Sequence, residues 1–319
     1  MILCVSHSSR PFDQNRGSLD FLTARYGSPD RLHNLPSFEQ LGAPKSNYIG
    51  NITLWDCNDI TRQPPDFMMC FEGDYKIQHA IVFDGQLVVC GYTFLKIIDL
   101  QTNHVRHITD PWFQDGHTVF PGGNGEVAVS CASSDAVLVF DLQSGNLKSR
   151  MRVPEDIFGH NYDLNPDADI REHHIPNDIQ LAHLNCAWQS DEGILVSGLI
   201  HGTIGLFEHD GSYHEITRGH VGCHGVRTRE GLDGFYFADS CNGSLVEMSW
   251  EGRILRRFTV DSRWLHDVQW IGDNLYLFAL SDHNRLELWD ISMDRLVWGI
   301  DMSGFGASMQ FISMSESRL

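Results

Sequence analysis

The sequence predicts an all-β, six-bladed β-propeller built as one domain over residues 1–319. Three observations lead there. A histidine recurs at the threshold of strand-like runs. Units of four short apolar runs, separated by turn residues, repeat at about 40 residues, which is the mark of a propeller blade. The two ends of the chain supply the pieces of one further unit.

The repeat is clearest in "RWLHDVQWIGDNLYLFAL" (263–280), where His266 precedes an apolar alternation that ends in a Gly-Asp-Asn turn. Forty-two residues earlier, "VGCHGVRTREGLDGFYFADS" sets His224 in the same place, and forty-one before that "QLAHLNCAWQSDEGILVSG" does so with His183. His117 in "HTVFPGGNGEVAVSCASSDAVLVFDL" and His79 in "HAIVFDGQLVVCGYTFLKIIDL" open two more units. The sixth unit is divided between the ends. "ASMQFISMSESRL" (307–319) reads as its first strand, with Ser308 in the histidine position. "MILCVSHSS", "GNITLWDCND" and "DFMMCF" read as its second, third and fourth strands. Joining both ends in one blade closes the ring and removes exposed sheet edges.

Residues 10–47 and 154–181 do not fit the repeat. Interblade loops and second-to-third-strand loops emerge on one face of a propeller, the face on which innermost strands begin. Both insertions are therefore expected over the axial mouth, beside the recurring histidines. Long loops within compact domains commonly carry function.

Composition bounds the function. There are 42 acidic against 23 basic residues, a net charge of −19. Such a balance argues against nucleic acid, which needs a basic surface to release counterions, and against anionic membranes. No apolar run approaches the ~20 residues of a membrane helix. The first residues lack the basic and apolar regions of a signal peptide. Eight scattered cysteines without a C-x-x-C pair suit a reducing cytoplasm better than a disulfide framework.

Strand starts surround the axis, so His79, His117, His183, His224 and His266 are expected to form a ring completed by Ser308. Five crowded imidazoles repel one another when protonated, and neutral imidazole is the commonest metal ligand. A divalent transition metal on the axis follows: Fe(II) first, with Mn, Cu or Zn as alternatives, since an all-nitrogen site suits these better than Mg or Ca. The competing reading makes the histidines blade fasteners. "GH" at 116–117 and 219–220 and "LWD" at 54–56 and 288–290 resemble WD-repeat propellers, whose histidine bonds within its blade. His220 has the WD-like offset; His224 in the same unit does not.

The repeated histidine, apolar alternation and Gly-containing turn also resemble a family of bacterial six-bladed propellers. The axial histidine constellation is similar to that of two metal-dependent propeller groups. Carotenoid cleavage oxygenases hold Fe(II) with four inner-strand histidines, and oligogalacturonate lyases hold Mn with three histidines and a glutamine. Both groups use seven blades, so the similarity implies a metal and leaves the reaction open.

Within the second insertion, Asp163, Asn165, Asp167 and Asp169 resemble a calcium loop. Ala168 and His174 stand where glycine and glutamate are needed, so an acidic lid is the better reading. His160 and His174 on that lid are the expected substrate contacts, with His173 beside them. Trp188, Trp270, Trp289 and Phe140 fit interblade core. No nucleophile elbow, phosphate loop or dinucleotide fingerprint is present. The function expected is a metal-dependent enzyme acting on a small molecule, foremost a non-haem iron oxygenase or oxidase. A metal-dependent lyase or hydrolase is the first alternative. A non-catalytic propeller that binds a protein partner is the second.

Overall fold

The computed structural model describes residues 1–8, 50–71, 76–158, 169–171, 175, 180–220, 222–306 and 308–315. It contains six four-stranded antiparallel sheets. In chain order, β1 (Ile2–Ser8), β2 (Gly50–Asp56) and β3 (Asp66–Phe71) come first. Five complete blades follow: β4–β7 within residues 79–108, β8–β11 within 116–152, β12–β15 within 184–217, β16–β19 within 224–259 and β20–β23 within 265–301. The last strand, β24 (Ser308–Ser315), pairs with β1, so the terminal blade runs β24-β1-β2-β3. This is the ring closure that the two chain ends predict.

Strand alternation and tight turns account for each blade locally. Between β4 (His79–Phe83) and β5 (Gln86–Cys90) the turn is Asp84-Gly85, with φ of 49° and 71°. Two successive positive φ values define the primed turn whose twist matches a right-twisted hairpin. The first strands β4 (His79–Phe83), β8 (Gly116–Pro121), β12 (Leu184–Ser190), β16 (His224–Arg227), β20 (Leu265–Gly272) and β24 contact one another in cyclic order. They line the axis.

Six apolar clusters hold the described ring together, one in each seam between neighbouring sheets. Between the third and fourth complete blades, for example, Phe120, Cys186, Leu195, Phe235 and Phe237 pack together at 2% exposure or less. Burying a side chain of this size stabilises the fold by about 1.5–3 kcal/mol. Trp188, Trp270, Trp289 and Phe140 lie in or against these seams, as their strand positions predict. All eight cysteines are free, six of them buried. No helix among the described residues is long and apolar enough to cross a membrane.

Most of the two insertions lies outside the described residues, His160 and His174 included. Ser8 and Gly50 pair with each other, and Ser8 pairs with Ser308 at the start of β24. Gln114, in an interblade loop, donates to the Ile170 carbonyl at 2.7 Å, and Gln180 donates to Ser133 in a second-to-third-strand turn.

Candidate functional site

A cavity of about 90 Å³ opens at the start of the inner strands. His117, His183, His224 and His266 line it, together with Lys76, Gln78, Asp115, Asn185, Leu199, Trp264 and Gln310. Four of the five predicted doorway histidines thus converge. They do so as two pairs: the rings of His117 and His183 have centroids 4.9 Å apart, and those of His224 and His266 are 4.5 Å apart.

His79 is the exception, and backbone register explains it. The pairing of β8, β12, β16, β20 and β24 with their second strands is interrupted by a bulge near the mouth. In β8 and β20 the extra residue is His117 or His266 itself. A bulge re-aims the side chain it carries. β4 pairs with β5 without interruption, from His79 opposite Cys90 onward. The preceding residue, Gln78, takes the cavity position, and His79 enters the wall between Phe120 and Phe311, at centroid distances of 4.7 and 5.7 Å. Its Nδ1 accepts the Val119 N–H, and burial pushes its pKa down to about 3. Blade six behaves similarly: Gln310 faces the cavity and donates to Ser308 at 3.2 Å. The ring is four imidazoles with two carboxamides, rather than five imidazoles with a serine.

Each cavity imidazole is oriented through Nδ1. His117 Nδ1 donates to the Asp115 carbonyl at 2.9 Å, and His224 Nδ1 to the Gly222 carbonyl at 2.7 Å, with Ser240 Oγ at 2.8 Å. His183 Nδ1 lies 2.5 Å from Gln180 Oε1; the amide nitrogen of Gln180 donates to the Ile175 carbonyl, so its oxygen must accept. A carbonyl only accepts, so these three rings carry a proton on Nδ1, and in the neutral form the lone pair is on Nε2. His266 differs. Its Nδ1 lies between the Trp264 indole N–H at 3.3 Å, which only donates, and Ser281 Oγ at 3.1 Å. The Ser281 hydroxyl also bonds the Met309 carbonyl. Accepting from Trp264 places the ring proton on Nε2; donating to Ser281 places it on Nδ1. His266 thus has two berths for its proton.

Charge at the mouth is paired. Lys76 Nζ lies 2.5 Å from Asp115 Oδ1 and 4.6 Å from the centre of the Tyr92 ring. Burial pushes the Asp115 carboxyl up, but Lys76, His117 and His183 together hold it well below the usual carboxylate range. Burial, then the neighbouring His117, pushes the His183 imidazole well below its ordinary value. Lys76, Asp115 and His183 all have positive φ, at 51°, 54° and 55°. Non-glycine residues held there store backbone strain, a feature that clusters at functional sites. The restraint on His183 is visible: buried Asp135 accepts the backbone N–H groups of Leu181, Ala182 and His183 at 2.6, 2.9 and 2.7 Å.

Sequence spacing finds the histidines but misses Lys76, Gln78, Asp115, Asn185, Trp264 and Gln310. Their signal is only proximity in sequence to a doorway position. A fastener role exists too, at His220: its Nδ1 lies 3.6 Å from Asp239 and its Nε2 3.5 Å from Thr217, residues of two neighbouring blades. His224, four residues on, faces the cavity instead.

The paired arrangement bears on the expected metal. Among the described residues, no three His, Cys, Asp or Glu side chains come together as a set that could hold an ion. The tautomers suit ligation, but two separate pairs do not form a three- or four-nitrogen shell.

No family model matches the chain, and no curated protein matches it in sequence. Solved structures do match in fold. Selenomethionine-substituted virginiamycin B lyase from Staphylococcus aureus aligns with a TM-score of 0.54 at 11% identity, over 77% of this chain and 75% of that one. A catalytically inactive histidine-to-alanine variant of virginiamycin B lyase from the same organism, with quinupristin, aligns at 0.56 and 11%, over 79% and 77%. A streptogramin B lyase aligns at 0.54 and 10%, over 77% and 74%. At these identities the likeness is one of architecture, and it establishes the six-bladed propeller.

Proposed function

We propose that this propeller is an enzyme that acts on a small molecule in the axial cavity by proton transfer, in a lyase-type elimination. The observation that carries the reading is the His224–His266 pair. His224, with its lone pair on Nε2, is the base that removes a proton from carbon. His266, as the imidazolium, is the acid that protonates the leaving group, and its two berths hold the proton it keeps as the neutral ring. The C–H and C–X bonds break, a C=C bond forms, and H–X departs. General acid–base catalysis by positioned groups contributes about 10²–10⁴-fold.

Two further points support the lyase reading over the iron oxygenase. An oxygenase needs three or more nitrogens converging on one ion, whereas an elimination needs one base and one acid. The solved structures sharing this fold include proteins named as lyases. Fold alone does not carry chemistry, so the weight rests on the histidine pair.

The test is proton exchange in D₂O. Quinupristin and a panel of small β-substituted carbonyl compounds are incubated with the full chain and followed by NMR and mass spectrometry. Elimination or C–H exchange is expected, with His224→Ala and His266→Ala each reducing it by about 10²-fold or more. Exchange that survives both substitutions sinks the assignment. A wild-type chain that converts and exchanges nothing favours the interaction propeller.

A further inference from the structure

We infer that Lys76 and Gln78 hold the carbonyl oxygen of the substrate and stabilise the negative charge that gathers on it as the proton leaves carbon. The inference rests on the elimination reading and adds the substrate class: a compound with a carbonyl beside the carbon that loses its proton.

Proton removal by His224 leaves an electron pair that must be placed. In a carbonyl compound the pair moves onto the oxygen as an enolate. It then returns to form the C=C bond while X departs with the proton from His266, so the products are the unsaturated carbonyl compound and H–X. Such an oxygen needs hydrogen-bond donors set in place beforehand.

Lys76 and Gln78 are those donors. Both line the cavity, on the approach to β4. The Lys76 ammonium has three N–H groups and gives one to Asp115 at 2.5 Å. Gln78 stands on a backbone held from two sides: its N–H donates to the Cys90 carbonyl at 3.1 Å, and its carbonyl accepts the Ser6 hydroxyl. Its carboxamide carries two more N–H groups. Elsewhere in the wall, Asn185 donates to the Cys223 carbonyl, Trp264 to His266 and Gln310 to Ser308.

Position and charge agree. The first strands touch in the cyclic order β4, β8, β12, β16, β20, β24, so β4 and β16 face each other across the axis. Gln78 precedes β4 and His224 opens β16. A cavity of about 90 Å³ keeps both sides within the span of a small carbonyl compound. Asp115 balances the charge of Lys76 before reaction, which suits a neutral carbonyl. Donors that bind more tightly as the oxygen turns negative favour the transition state over the ground state.

The test is calorimetric titration of the full chain at pH 8 with nitroethane and with its conjugate base, ethyl nitronate, a planar oxyanion shaped like an enolate. Wild type is expected to bind the nitronate more tightly. Lys76→Met and Gln78→Leu should each weaken nitronate binding by about tenfold or more, the worth of a hydrogen bond to a charged group. On a substrate that eliminates, each should lower kcat and change KM little. Melting curves show which variants are folded. If Lys76→Met, which strips buried Asp115 of its lysine, is not, Gln78→Leu decides. A wild type without preference for the nitronate overturns the inference, as does a folded variant that binds it like wild type. Nitronate binding weakened in the variants, with no C–H exchange by wild type, upholds the oxygen site and removes the catalytic proposal. Exchange that falls in His224→Ala but persists undiminished in both variants does the reverse.

Discussion

Arg227 and Asp267 form a fully buried bidentate ion pair on the propeller axis, with guanidinium-to-carboxylate distances of 2.6 and 2.8 Å. Three chain segments meet there. Arg227 belongs to β16 and Asp267 to β20, and Arg227 also donates to the Ile312 carbonyl of β24 at 3.0 Å, while Asp267 accepts the Ile312 N–H at 3.0 Å. The guanidinium lies 4.9 Å from the centre of the Phe120 ring. Gly225 makes room: its φ is +58°, and a Cβ there would sit 2.0 Å from Asp267 Oδ1. The pair ties the closing strand to two blades far from it in sequence.

Removing one member strands the other charge. Asp267→Ala is expected to destabilise the fold by about 3–5 kcal/mol, whereas replacing both members by apolar residues of similar volume costs far less. Urea denaturation of Asp267→Ala and of the double variant Arg227→Met/Asp267→Leu measures this. A single variant as stable as wild type would show that the pair does not hold the closure.

Acid stability follows from two other buried rings. Burial pushes His7 down to about 4 and His79 down to about 3. In the unfolded chain both titrate near 6.5. Below that value the unfolded state binds protons that the native state refuses, so stability is complete above about pH 6.5 and is lost as pH falls toward 4. Each ring contributes a slope of about 1.4 kcal/mol per pH unit inside that window. Denaturant midpoints at pH 7 and pH 5 should differ accordingly. His79→Phe should lower stability at pH 7 and flatten its pH dependence; an unchanged slope would contradict the assignment.

Metal content separates the two readings of the histidines. Protein purified without a polyhistidine tag is expected to hold substoichiometric Fe, Mn, Cu and Zn, because two imidazole pairs provide no three-ligand shell. Elemental analysis of wild type and of His117→Ala, His183→Ala, His224→Ala and His266→Ala decides it. One equivalent of metal in wild type, lost in three or more of these variants, would mean that the pairs close on an ion and would restore the metalloenzyme reading.

What the sequence by itself determined is the periodic part of this protein. Blade number, ring closure by β24 and the position of four cavity histidines follow from apolar alternation, turn residues and a spacing of about 40, all of them local signals that repeat. The tertiary structure decided what local pattern does not encode. His79 and His117 occupy like places in the repeat, yet an uninterrupted β4 sends one into the wall and a bulge in β8 turns the other to the cavity. Such a bulge is set by strand pairing, and no residue type announces it. Lys76 with Asp115, His183 with Asp135 and Arg227 with Asp267 lie 39, 48 and 40 residues apart. Their chemistry arises from contacts between neighbouring parts of the ring, and those contacts exist only once the blades have packed together.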